Sequence, residues 1–167
     1  LKDNIATAGD PTPLGTAAVP LVPASADAPP AARLREAGAV LIAKTTMPDY
    51  GMLSSGLSSF HALARNPWDL SKGPGGSSAG AGAAAAAGYG PLHVGTDIGG
   101  SIRLPASWCG IFGLKPSLGR VPIDPPYTGR AAGPMTRTVQ DAALMMQVLS
   151  RPDARDSMSL PAQDIDW

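Results

Sequence analysis

The residues with the clearest chemical potential are serines set among glycines. Ser77 and Ser78 lie in the run Gly73-Pro-Gly-Gly-Ser-Ser-Ala-Gly80, and Ser101 directly follows Gly99-Gly100. A serine hydroxyl is a poor nucleophile until a neighbour takes its proton. Glycine turns beside it let backbone N–H groups face a substrate, which is how an oxyanion hole is built. A lysine can act as the proton acceptor only when it is neutral, and burial is what depresses its pKa. Lys44 follows the apolar run Ala39-Val-Leu-Ile-Ala43, the kind of place where burial could depress a lysine pKa. No Ser-x-x-Lys spacing exists here, so lysine and serine must meet through the fold.

Other readings of the same loop fail on their own requirements. A dinucleotide fingerprint needs Gly-x-Gly-x-x-Gly, and no register between 73 and 82 supplies it. A phosphate loop ends in Gly-Lys-Ser/Thr, whereas Lys72 precedes the glycines. Gly76-Ser-Ser-Ala-Gly80 matches the hydrolase elbow Gly-x-Ser-x-Gly. That elbow needs a strand before it and an acid and then a histidine after it. Asn66–Lys72 is no strand, and the one histidine downstream, His93, has no acid between it and Ser78. From composition alone, Ser77 and Ser78 read as loop or helix-capping residues rather than catalytic ones, and Lys44 as a solvated strand end. Asp97 and Arg103 read as braces of the turn, Lys115 as structural, Cys109 as a small buried hydrophobe, and His93 as a strand residue.

The elements that must position these groups follow an α/β pattern. Asp27 is predicted to cap a helix with Pro29 and Pro30 in its first turn and Gly38 beyond its end. The run 39–43 then reads as a strand buried on both faces, with Lys44 at its C-terminal end, where open α/β sheets place functional groups. Residues 45–72 read as irregular. The alanine run to Ala87 reads as a helix whose small residues permit very close packing. Leu92–Thr96 reads as a buried strand feeding the Asp97–Ser101 turn, and Ile111–Leu114 as a short strand. Thr138-x-x-Asp141 resembles a capping box, opening a helix whose apolar face is Val139, Ala142, Ala143, Met146 and Leu149.

Composition narrows the function classes. The 167 residues include 20 Gly and 18 Pro, yet 44% are apolar, which fits a turn-rich folded domain better than disorder. Thirteen basic residues balance 13 acidic ones, giving no electrostatic handle for nucleic acid or an anionic membrane. One cysteine and two histidines argue against disulfide frameworks and Cys- or His-rich metal sites. No apolar run approaches a membrane span, and the charged start does not read as a signal peptide.

The two serine loops together, Gly73–Gly80 and Gly95-Thr-Asp-Ile-Gly-Gly-Ser-Ile-Arg-Leu-Pro-Ala-Ser107, strongly resemble the amidase signature family. Supporting matches are Lys2-Asp-Asn4, Ala37–Pro48, Ala64–Trp68, Cys109–Pro116 and Gly133–Thr138. The resemblance covers residues 2–150 in matching order and spacing. It departs at Thr46, where many relatives have Asn, and at Ala79, where Gly is common. It implies an α/β fold with a mixed sheet covered by helices, here the catalytic core of a longer domain without its N-terminal extension and C-terminal part. It implies a Ser–cis-Ser–Lys triad, placed as nucleophile Ser101, bridging Ser77 and base Lys44. The implied oxyanion donors are the backbone amides of Ile98, Gly99, Gly100 and Ser101. The implied activity is hydrolysis of a carboxamide C–N bond in a small-molecule substrate through an acyl-enzyme. No cofactor or metal, no direct nucleic-acid partner and no membrane is expected. A cytoplasmic location fits, and a homodimer is compatible. Relatives also include the amidase subunit of a tRNA-dependent amidotransferase, and an inactive fragment or scaffold is the remaining alternative.

Overall fold

The computed structural model describes all 167 residues. Its order is α1 (Pro29–Glu36), a short 3-10 turn (Asp49–Gly51), α2 (Ala79–Ala86), β1 (Leu92–Asp97), α3 (Arg103–Cys109), β2 (Phe112–Gly113), β3 (Ala131–Thr136) and α4 (Val139–Leu149). The strands form an antiparallel three-stranded sheet in the order β1-β3-β2. β1 and β3 pair along their whole length, from Leu92↔Thr136 to Asp97↔Ala131. This register sets the end of β1, and the loop after it, against the start of β3.

β3 is the strand that local sequence hides. Gly133 and Pro134 both count against a central strand, because proline cannot donate to the ladder and glycine adds no side chain to the packing. Tertiary packing overrides them: every residue of β3 is buried. A Cβ on Gly133 would lie 2.1 Å from the Leu114 carbonyl oxygen, so glycine alone permits that approach. The Leu114 amide donates to the Pro134 carbonyl at 3.0 Å.

The core lies between the sheet and helices α1 and α4, joining Leu34, Val94, Ala132, Met145, Met146 and Leu149. In α4, Thr138 Oγ1 accepts from the Asp141 amide at 3.1 Å, the N-cap half of the expected box; its hydroxyl donates to the Asp141 carboxylate at 2.7 Å in place of the box's reciprocal backbone bond. The buried face is Ala142, Met145, Met146 and Leu149. Val139, expected on that face, is exposed in the first turn. Helix α1 begins as expected with prolines, but Asp27 does not cap it. Its carboxylate instead pairs with Arg35 at 3.0 Å and accepts the Ala8 amide at 2.8 Å.

The buried strand expected at 39–43 is not formed. These residues form no strand and do not join the sheet, and Val40 and Ile42 are 83% and 77% exposed. The position beside β1 belongs instead to the first residues of the chain. The Lys2 amide donates to the Val94 carbonyl at 2.9 Å, and Thr45 flanks Lys2 on the other side in a parallel bridge. Leu1–Asp3 therefore separates the 39–45 segment from β1. No helix is long and apolar enough to cross a membrane.

Candidate active site

Both serine loops meet through the backbone. Ser78 donates its amide to the Ser101 carbonyl at 3.1 Å, and its hydroxyl bridges to the Thr96 backbone at 3.2–3.3 Å on β1. Ser78 stands at the N-cap position of α2 but makes no side-chain cap. The peptide bond between Gly76 and Ser77 is cis. Close packing holds the loop in place: a Cβ on Gly75 would meet Pro105 backbone atoms at 2.9 Å, and one on Gly76 would meet Ser55 at 2.5 Å. Behind it, α2 approaches Thr46 so closely that a Cβ on Gly80 would lie 2.4 Å from the Thr46 nitrogen.

The second loop is built around Asp97. Its carboxylate accepts five hydrogen bonds, from the amides of Gly100, Ile102 and Arg103 and from the Arg103 Nε and Nη2. Burial alone would raise the Asp97 pKa, but the Arg103 guanidinium and these amides outweigh it and hold the carboxyl down at about 2. Asp97 and Arg103 are thus braces. The Gly100 amide, expected among the oxyanion donors, is spent on Asp97. Ile98, Gly99 and Ser101 line a cavity of about 390 Å³ together with Ser77, Thr96, Tyr127 and Arg130.

The lysine in this cavity is Lys2. Its Nζ lies 2.7 Å from Ser77 Oγ, 2.9 Å from Thr96 Oγ1 and 3.4 Å from the Thr96 carbonyl oxygen. Lys2 is 1% exposed. Burial pushes its pKa down to about 7, with the Arg130 charge lowering it further and Asp97 and Asp3 opposing. Three polar neighbours suit a neutral amine well. Two N–H bonds can go to the Thr96 oxygens, leaving the lone pair to accept the Ser77 hydroxyl proton. Asn4 Nδ2 donates to Thr96 Oγ1 at 3.0 Å and anchors that oxygen from the far side.

Lys44 is not brought to either serine, which corrects the expectation that it meets Ser77. It lines a different cavity, of about 400 Å³, with Asp3, Asp10, Arg35 and His61. Its Nζ is enclosed and makes no hydrogen bond. Burial does lower its pKa, opposed by Asp3 and Asp10, but the run before it is exposed rather than a buried strand, and the amine does not reach either serine. The physical reason is the displaced strand: Leu1–Asp3 lies beside β1, and the segment bearing Lys44 lies one step farther out. The motif Lys2-Asp-Asn4 is the available signal: Asp3 and Asn4 form a turn closed by the Ile5 amide donating to the Lys2 carbonyl at 3.0 Å, and both the Lys2 amine and the Asn4 amide reach Thr96 Oγ1.

The remaining groups keep structural positions. His93 lies in β1 with Nε2 3.2 Å from the Gly90 carbonyl oxygen. Cys109 is fully buried, its thiol pushed up to about 11 by burial. No group of three or more His, Cys, Asp or Glu side chains could hold a metal ion.

The family model described as Amidase matches residues 1–166. The chain belongs to the amidase signature family. It is 44% identical over 164 residues to the A-subunit of glutamyl-tRNA(Gln) amidotransferase from Chromohalobacter salexigens, a match covering 96% of this chain and 34% of that protein. Among solved structures, the corresponding amidotransferase component from Thermotoga maritima superposes with a TM-score of 0.90 at 38% identity, covering 97% of this chain and 37% of that one. A bacterial aryl acylamidase of the amidase signature family gives a TM-score of 0.87 at 39% identity, covering 97% and 35%. This amidase-family chain therefore spans about a third of the length of these relatives.

Proposed function

We propose that this chain carries the catalytic centre of an amide hydrolase, with Ser101 as nucleophile, Ser77 as proton relay and Lys2 as base. The observation that carries the reading is the 2.7 Å contact between the Lys2 amine and the Ser77 hydroxyl, in the cavity that Ser101 also lines. Neutral Lys2 takes the Ser77 proton while Ser77 takes that of Ser101. Ser101 Oγ bonds to the substrate carbonyl carbon, and the carbonyl π electrons move onto oxygen. The amides of Ile98, Gly99 and Ser101 are the donors for that oxyanion. When the tetrahedral centre collapses, the C–N bond breaks and the relay returns its proton to the departing amine. Water, deprotonated by the same relay, then cleaves the ester formed on Ser101.

The test is labelling of Ser101 by a fluorophosphonate in the full-length polypeptide. The expected result is a covalent adduct on Ser101 that is slowed by Lys2→Met and Ser77→Ala. Absence of an adduct, or labelling insensitive to both changes, overturns the assignment.

A second reading is the amidase component of a tRNA-dependent amidotransferase, in which the released ammonia passes to a partner. It is favoured by the amidotransferase relatives, one of them, from Nitratidesulfovibrio vulgaris, 47% identical over 161 residues. Co-purification with further subunits, and glutamine hydrolysis that depends on them, would select this reading over a free amidase.

A further inference from the structure

The cavity holds one more cationic side chain, Arg130, and backbone geometry puts it there. Residues 127–130 form a turn closed by the Arg130 amide donating to the Tyr127 carbonyl at 3.0 Å. Gly129 sits third in that turn with φ +86°, where a side chain is disfavoured. β3 begins at the next residue, Ala131, which pairs with Asp97. One step farther along the register sets Arg130 opposite Ile98, the first residue of the oxyanion loop. The proximity is direct, since a Cβ on Gly129 would lie 3.9 Å from Ile98 Cγ2.

The guanidinium is held but not neutralised. Its carbon lies 4.4 Å from the Tyr127 ring centroid, a stacking that fixes the orientation of the planar group. Of the arginines without a carboxylate partner, Arg65, Arg137 and Arg151 are exposed to water and Arg120 donates to the Pro161 carbonyl and to Gln163; Arg130 has neither a carboxylate partner nor full exposure. Arg130 is half-buried, and burial lowers its pKa from the usual arginine value. A cation withdrawn from water without a counter-charge is unfavourable. The group best shaped to relieve it is a carboxylate, which accepts two parallel N–H bonds from the fork.

We propose that Arg130 recognises a carboxylate on the substrate, so that the centre acts on amides bearing an anionic group a few bonds from the scissile carbonyl. The proposal rests on the amide-hydrolase reading for the position of the reacting carbon, and Tyr127 serves as the platform that aims the guanidinium.

Binding measured without turnover tests it. The full-length protein carrying Ser101→Ala is titrated calorimetrically with the monoamides of succinic, glutaric and adipic acids and with the corresponding diamides. At least one monoamide should bind about 10-fold or more tightly than its diamide. Arg130→Gln should remove that preference, and Arg130→Lys should keep part of it, because an ammonium retains charge without the fork. Equal affinities, no binding of any monoamide, or a preference that survives Arg130→Gln overturns the proposal. If Arg130→Gln fails to fold by circular dichroism, Arg130→Lys decides: an unchanged preference overturns it and a several-fold loss supports it. Fluorophosphonate labelling of Ser101 is independent of these titrations, so failure of the hydrolase reading and failure of the carboxylate site remain distinguishable.

Discussion

Lys2 Nζ and Ser77 Oγ stand 2.7 Å apart across 75 positions of sequence. The contact exists because the chain's first residues pair with β1 through the Lys2–Val94 backbone bond, while the Ser77 loop is drawn against the end of the same strand through Ser78 and Thr96. β1 is the common ruler for Lys2 and Ser77.

Exchanging the two lysines for methionine separates their roles. Lys2→Met should lower kcat/KM on an amide substrate by about 10³-fold or more in the full-length protein. Lys44→Met should stay within a few-fold, since the Lys44 amine contacts neither serine. A steady-state comparison of the two variants checks this, and a severe loss in Lys44→Met alone would reverse the assignment.

The pH dependence follows from the Lys2 pKa of about 7 in the folded protein, against an ordinary 10.5. The base works when neutral, so kcat/KM should rise with pH through an acid limb near 7. Stability carries the matching sign. Between about 7 and 10.5 the unfolded chain binds the proton that the native state has lost, so stability rises with pH in that window. The lysine contribution changes by on the order of 5 kcal/mol across it. In denaturant titrations, any advantage of Lys2→Met over the parent at neutral pH should shrink as pH climbs toward 10.

Asp97 organises the loop after β1 with five accepted hydrogen bonds. Its pKa is depressed from 3.8 to about 2, so its stabilisation is present above about 4 and is lost as pH falls through about 2. Asp97→Ala leaves three loop amides without their acceptor and should cost about 3 kcal/mol together with most of the activity. Thermal melts between pH 2 and 5 should show a smaller acid-side loss in the variant than in the parent; what remains comes from groups such as Asp153, which the Arg155 hydrogen bond also holds at about 2.

Gly80 offers a test in which helix propensity and packing disagree. Alanine in a helix is favoured over glycine by about 1 kcal/mol, so propensity alone predicts that Gly80→Ala stabilises α2. The new methyl would lie 2.4 Å from the Thr46 nitrogen, and backbone cannot yield as a flexible side chain does. We expect destabilisation by about 2 kcal/mol. Gly73→Ala, with nothing within 4 Å of the added carbon, should be nearly neutral in the same denaturation assay.

Much of this molecule is legible in its residues alone. The Thr138 cap, the alanine helix, strand β1 and the glycine-flanked serines are local features, because capping, small-residue helices and turns are written in neighbouring residues. The family resemblance rests on the same local strings, the loops at 73–80 and 95–107. What local sequence could not decide was adjacency. The apolar run at 39–43 looks like a buried strand, but whether it is covered depends on which segment takes the place beside β1, and Leu1–Asp3 takes it. β3 stays hidden for the converse reason, since Gly133 and Pro134 weaken every local strand signal while the packing of Leu114 requires that glycine. Only the tertiary structure therefore chose between two lysines: residue type says that a buried amine can serve as a base, and the hydrogen-bonding partners of β1 determine which amine reaches Ser77.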